Sequence, residues 1–240
     1  MSRGIDLAQR YQFRLIFTGL LISLAAGSAD AGIPVDNEYI CPIGGEKFVQ
    51  TGTMSCTTFG MRFDLKRISS CQWVKWPVIC PTNGFPIYKL DFSSDEVKRL
   101  SAIVKAENFQ KNRIGNVPSF SLYLVKKAMG EDDAALADAL LPAIWDAAPG
   151  ASRQLSAYLD LAVNHNKRAL SAMRGRDRHW WKRQILTANL ERRLSRFEAA
   201  AKRLAALPDE QLAPDEHLHR VIKALREYVR NRNAQPQRVP

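Results

Sequence analysis

Apolar positions recur with two different periods along this chain, and the change falls near residue 92. Upstream, residues 46–50, 60–68 and 72–79 are short, mixed apolar and polar, and rich in Val, Ile, Phe and Trp, as half-buried strands are. Gly44-Gly45, Gly52 and Asn83-Gly84 punctuate them as turns. Downstream the spacing is helical. Ser93 with Glu96 three residues on is a capping box, followed by Val97, Leu100, Ile103 and Val104 on one face. A second helix is predicted from Pro118 to Gly130 and a third from Asp132-Asp133, which Pro142 should kink or split. Ser152 should cap a long helix striped by Leu155, Leu159, Ala162 and Val163 that stops near Gly175. Two elements over 179–194 and 196–207 follow. Pro214 then opens a last helix carrying Leu218, Val221, Ile222, Leu225 and Val229. The segment 233–240, NAQPQRVP, is expected to be disordered. The pattern predicts an α+β protein, mostly α, with a small antiparallel β module over 32–92 and an all-α part over 93–232.

At 240 residues, 46% of them apolar, the chain has enough material for a real core in one or two domains. Residues 1–31 do not belong to it. Arg3, Arg10 and Arg14 precede an apolar run over 15–27, and Ala29-Asp30-Ala31 forms a small-x-small site before Gly32. That order predicts a signal peptide cleaved between Ala31 and Gly32. The run is shorter than the roughly 20 residues of a spanning helix. The expected location is therefore the periplasm, or outside the cell, and the four cysteines Cys41, Cys56, Cys71 and Cys80 are expected as disulfides. Four cysteines admit three pairings, and spacing does not choose among them.

Charge is unevenly placed. Residues 32–164 carry 14 basic and 14 acidic side chains, whereas 165–240 carry 18 basic and 8 acidic ones and all four histidines. Within the basic third, Arg174, Arg176, Arg178, Trp180, Trp181, Lys182 and Arg183 form the densest cluster, with His179 among them. Guanidinium groups suit carboxylates and phosphates, and indole faces stack on sugars and cations. The plainer alternative is a solvated surface with one tryptophan filling the core, because neighbouring helical residues point about 100° apart.

The two Cys-Pro turns carry a resemblance. Cys41-Pro42-Ile43-Gly44-Gly45-Glu46-Lys47-Phe48, then Cys80-Pro81-Thr82-Asn83-Gly84-Phe85, then Asp91-Phe92, resemble an uncharacterised bacterial family. Its members carry two zinc-ribbon-like knuckles, Cys-Pro-x-Cys-Gly-x-x-Phe and Cys-Pro-x-Cys-Gly-Tyr, followed by tetratricopeptide-type helices. Gly44 and Asn83 stand where that family has the second cysteine of each knuckle, so the metal site is expected to be lost and no cofactor is expected. In a zinc ribbon the knuckles face each other across the metal. The resemblance therefore implies a Cys41–Cys80 disulfide, with Cys56–Cys71 nested inside it. Residues 190–208 likewise look like the turn and second helix of a tetratricopeptide unit, with Ser195 at the turn and Phe197 and Ala200 at packing positions. The expected architecture is thus a degenerate zinc ribbon stapled by disulfides, followed by a tetratricopeptide-like array.

Catalytic chemistry is weakly signalled. His217 and His219, two apart, do not share a helical face, and Asp177 beside His179 lacks a nucleophile motif. Nucleic acid would suit a basic region, but export argues against it. The expected function is that of an exported, non-catalytic adaptor whose helical surface binds a protein or an envelope component. The alternative is direct binding of an anionic envelope polymer or lipid head group by the basic third.

Overall fold

In a computed structural model of the chain, residues 33–71, 76–147, 153–207 and 215–240 are described. The expected signal peptide, its Ala31–Gly32 cleavage site, the Ser152 cap and Pro214 lie outside those residues. No helix among the described residues is long and apolar enough to cross a membrane.

The upstream part forms three two-stranded antiparallel pairs rather than one sheet. Strand β1 (Pro34–Ile40) pairs with β2 (Lys47–Thr53), β3 (Thr58–Met61) with β4 (Arg67–Ser69), and β5 (Val78–Ile79) with β6 (Pro86–Ile87). β1 was not predicted, because PVDNEYI has too few apolar residues to announce a strand. Residues 60–68 are not one strand: the chain reverses over 62–66, with the Arg62 amide donating to the Lys66 carbonyl at 2.8 Å and Leu65 at φ 65°.

Helices follow in the predicted order. They are α1 (Ser94–Lys105), α2 (Glu107–Arg113), α3 (Phe120–Ala128), α4 (Asp133–Ala139), α5 (Leu141–Ala147), α6 (Arg153–Ala172), α7 (Arg178–Arg193), α8 (Phe197–Ala205) and α9 (Glu216–Arg230). Their ends are set locally. The Ser93 and Glu96 capping box opens α1. The side chains of Asp132, Asp177 and Asp215 each accept an amide hydrogen at the N-termini of α4, α7 and α9. Pro142 has no N–H to offer, and the predicted third helix is divided into α4 and α5 at Leu140. Among the helices of the described residues, only α2 is not predicted from the sequence. Its seven residues bury a single one, Phe109.

Both disulfides have the nested pairing. Cys41 joins Cys80 with Cα atoms 5.7 Å apart, and Cys56 joins Cys71 at 5.6 Å. Such bonds are those of an oxidising environment. Cys41 and Cys80 are fully buried and share a core with Ile43, Val78, Phe85 and residues of α1, α2 and α3. A second core lies along α3 to α7, around Leu140, Ile144, Tyr158 and Leu190. A third joins α7, α8 and α9, and into it goes Phe63 from the β3–β4 turn, edge-on to Tyr228. The cysteine-bearing stretch is therefore shared between two separate cores, the first and the third.

Asp64 locks the β3–β4 turn to α7. Only 1% exposed, it pairs with Arg193 at 2.8 Å and with Arg62, and its carbonyl accepts from the Trp145 indole at 2.9 Å. Segment 233–240 is also tied down, contrary to the expected disorder. Its Val239 amide donates to Met61 at 2.8 Å, and its Gln237 carbonyl accepts from Phe63 at 3.1 Å. The reason is tertiary: Arg192, fully buried on α7, donates to the carbonyls of Asn233 and Gln235.

Candidate anion-binding site

The α6–α7 connection and its flanking turns form an open cavity of about 620 Å³. Lys167 and Ser171 come from α6, Arg174 and Arg176 from the connection, Trp180 and Gln184 from α7, and Arg203 from α8. Position follows from local structure. Asp177 caps α7 by accepting from the Trp180 amide at 2.9 Å, which sets the first turn and turns the indole inward. Trp180 is 8% exposed, and Arg176 lies over its ring at 5.4 Å from the centroid.

The back wall is charged and ordered. Arg203 grips Glu191 with two bonds of 2.9 and 2.8 Å and donates to Gln184 at 2.6 Å. Lys167 is 3.7 Å from the same carboxylate. Glu191, 1% exposed, is thus saturated by two cations. Arg174 and Arg176 have no carboxylate partner among the described residues. Four cations converge on a cavity whose lining includes no acidic residue. Planar guanidinium groups bind carboxylate or phosphate bidentately, so the arrangement can hold an anion bearing several charged groups.

The predicted cluster is only partly brought together. Arg174, Arg176 and Trp180 line the cavity; Trp181, Lys182, Arg178 and Arg183 do not. Arg178 pairs with Asp215 at 2.8 Å, and Arg183 forks onto Asp138 at 3.2 and 3.0 Å while donating to Asn166 at 2.7 Å. Trp181 packs against the third core with its indole N–H buried and without a partner. Lys182 is exposed. Lys167 and Arg203 were missed because they enter from neighbouring helices, and no local signal in the sequence joins them to Arg174.

A second polar node also escaped the sequence. His165, buried on α6, has Nδ1 2.6 Å from Asp133 and Nε2 3.2 Å from the Tyr123 hydroxyl. Arg168 donates to both Asp133 oxygens and, with His165, holds that carboxyl below the usual range. The node ties α3, α4 and α6 together. His217, His219 and Asp177 are not part of it.

The turn between α7 and α8 places Ser195 at φ 59°, with Phe197 and Ala200 buried behind it. At the other end, the two Cys-Pro turns are built alike. The Cys41 amide donates to Glu46 at 2.8 Å and Gly45 to Cys41 at 3.1 Å; Cys80 donates to Phe85 at 2.9 Å and Gly84 to Cys80 at 3.0 Å. No group of three or more metal-binding side chains occurs among the described residues. Comparison with protein-family models, with curated proteins and with solved structures finds no match to this chain.

Proposed function

We propose that this protein is an exported, non-catalytic binding protein, and that its ligand is an anionic component of the cell envelope held in the α6–α8 cavity. One observation carries the reading: Arg174 and Arg176 face open space without a carboxylate partner, beside Lys167, Arg203 and the Trp180 ring. A positively charged concavity raises the local concentration of anions and orients them, and the Trp180 ring seats the Arg176 guanidinium at the concavity's edge.

The frame that holds this cavity we read as a zinc ribbon that lost its metal, joined to tetratricopeptide-like helices. Support for the first comes from the matched hydrogen bonds of the two Cys-Pro turns. Positions 44 and 83 also face each other: a Cβ on Gly44 would lie 4.0 Å from the Asn83 amide nitrogen. Support for the second comes from the tight turn at Ser195 and the sequential packing of α6, α7 and α8.

The test uses a polyuronate, inorganic polyphosphate and vesicles bearing acidic phospholipid as separate probes. Binding by the chain should weaken steeply as salt rises, as contacts to a polyanion do. Changing Arg174 and Arg176 together to Ser should lower affinity about tenfold or more, one tenfold step being about 1.4 kcal/mol. Arg220→Ser, on an exposed face of α9, should leave it unchanged. Equal loss in both variants, or none in either, would reject the site.

A second reading, a protein partner, is favoured by an apolar groove of about 400 Å³ between α1, α2 and α3, lined by Ile103, Phe109 and Leu124. A partner bound there would be retained at high salt and released by Leu124→Asp. Release by salt alone would argue for the cavity instead.

A further inference from the structure

We infer that segment 233–240 is an exchangeable arm: the edge beside β3, together with Arg192, forms a receptor for it, and a second copy of this chain can supply it in trans. The receptor is specific. Arg238 bridges to Arg62 in antiparallel pairing, the Phe63 amide donates to Gln237, and the Val239 amide donates to Met61. The Arg238 guanidinium donates to the Phe59 carbonyl directly over Gly60. A Cβ at Gly60 would stand 3.0 Å from the Arg238 Nε, so the missing side chain makes the seat. Ala234 and Val239 pack against the third core.

Arg192 holds the occupant in place. It is fully buried and forms no ion pair among the described residues. Its guanidinium donates to the carbonyls of Asn233 and Gln235 and to Asn189 at 2.8 Å, and lies 5.7 Å from the Tyr228 ring. Burial holds its pKa down to about 10, the mark of a cation short of compensation. Empty of the segment, the groove would leave that charge with water in place of two ordered carbonyls, and with Asn189 as its remaining side-chain acceptor.

The link between receptor and arm is a single turn. The α9 helix ends at Arg230, and Arg232 sits at φ 49°, left-handed and not glycine. Such a residue is strained, and an extended hinge relieves it. Both the receptor and the arm are present on every copy. Opening at Arg232 therefore lets two chains trade segments, remaking the contacts of 234–240 while releasing the turn closed by the Arg232 and Asn233 amides; this is a closed two-fold exchange.

The experiment unfolds and refolds the full chain, disulfides kept oxidised, over a hundredfold range of concentration, and reads mass by light scattering. A dimer fraction that grows with concentration is expected, cut several-fold by Arg232→Gly, which removes the hinge strain together with the Arg232–Glu198 ion pair, and not by Glu198→Gln, which removes the ion pair alone. A chain that is monomeric throughout overturns the proposal, as does a dimer indifferent to Arg232→Gly. A second measurement on the monomer is hydrogen exchange at the Phe63 and Val239 amides. Exchange at least tenfold faster than in the α7 core supports a separately releasable arm, and equal rates overturn it.

Discussion

The side-chain amide of Asn83 donates to the carbonyl of Ile43 at 2.7 Å, tying the second Cys-Pro turn to the first beside the Cys41–Cys80 disulfide. Its oxygen meanwhile accepts the Phe85 amide at 2.8 Å and so closes its own turn. Asn83→Ala would strand the Phe85 amide and the Ile43 carbonyl in a half-buried place. The expected cost is about 1–3 kcal/mol in urea unfolding. A change within about 0.5 kcal/mol would mean that the disulfide alone aligns the turns.

The two disulfides should differ in weight. Cys41–Cys80 closes 39 residues of sequence separation and Cys56–Cys71 closes 15. Loop-closure entropy assigns about 4 kcal/mol to the first and about 3 to the second. The first is also fully buried between helices. Paired Cys→Ser variants should therefore rank Cys41/Cys80 as the more damaging, with near-ultraviolet circular dichroism lost around Phe85. The reverse ranking would place the stabilising link in the β3–β4 hairpin.

Asp64→Ala removes the carboxylate shared by Arg193 and Arg62. Arg193 is 3% exposed, and burial already pushes its guanidinium pKa down, against the opposing effect of Asp64. Stranding it should cost about 3–5 kcal/mol. Thermal melts would show this, and a fall below about 1 kcal/mol would mean water or Trp145 movement rescues the cation.

Glu96 sets an acid-sensitive feature at the start of α1. The ammonium of Lys89, followed by the Ser93 amide, holds its carboxyl down to about 2. A carboxyl depressed on folding adds stability that is complete above its unfolded value, near 4.5, and is lost as pH falls toward about 2. Glu96→Gln should therefore be less stable than the parent near neutrality, with the gap closing across that acid window. A gap in urea midpoint that stays constant between about pH 6 and about pH 2 would assign the bond no role in acid sensitivity.

Local signals were the legible ones. Helix starts at Ser93 and Asp132 and the split at Pro142 follow from chemistry within a few residues, and the structure keeps them. Of the basic cluster, only Arg174, Arg176 and Trp180 reach the cavity, because Asp215 and Asp138 take Arg178 and Arg183 from elsewhere in the chain. A run of arginines is readable in sequence, whereas the acids that neutralise it lie about 40 residues away, beyond the reach of any helical or strand period.

By itself the sequence determined most of the helices, the Ser93 and Asp132 starts, the oxidising chemistry of four cysteines and the basic final third, since each depends on side-chain type and short spacing. Tertiary structure decided where the β3–β4 turn docks, which cations remain unpaired around the cavity, and that 233–240 is held against the β3–β4 turn. The first and last of those outcomes rest on Asp64 meeting Arg193 and on Arg192 meeting the carbonyls of Asn233 and Gln235. Burying a charge is costly until a partner arrives, and only the folded chain brings these partners together.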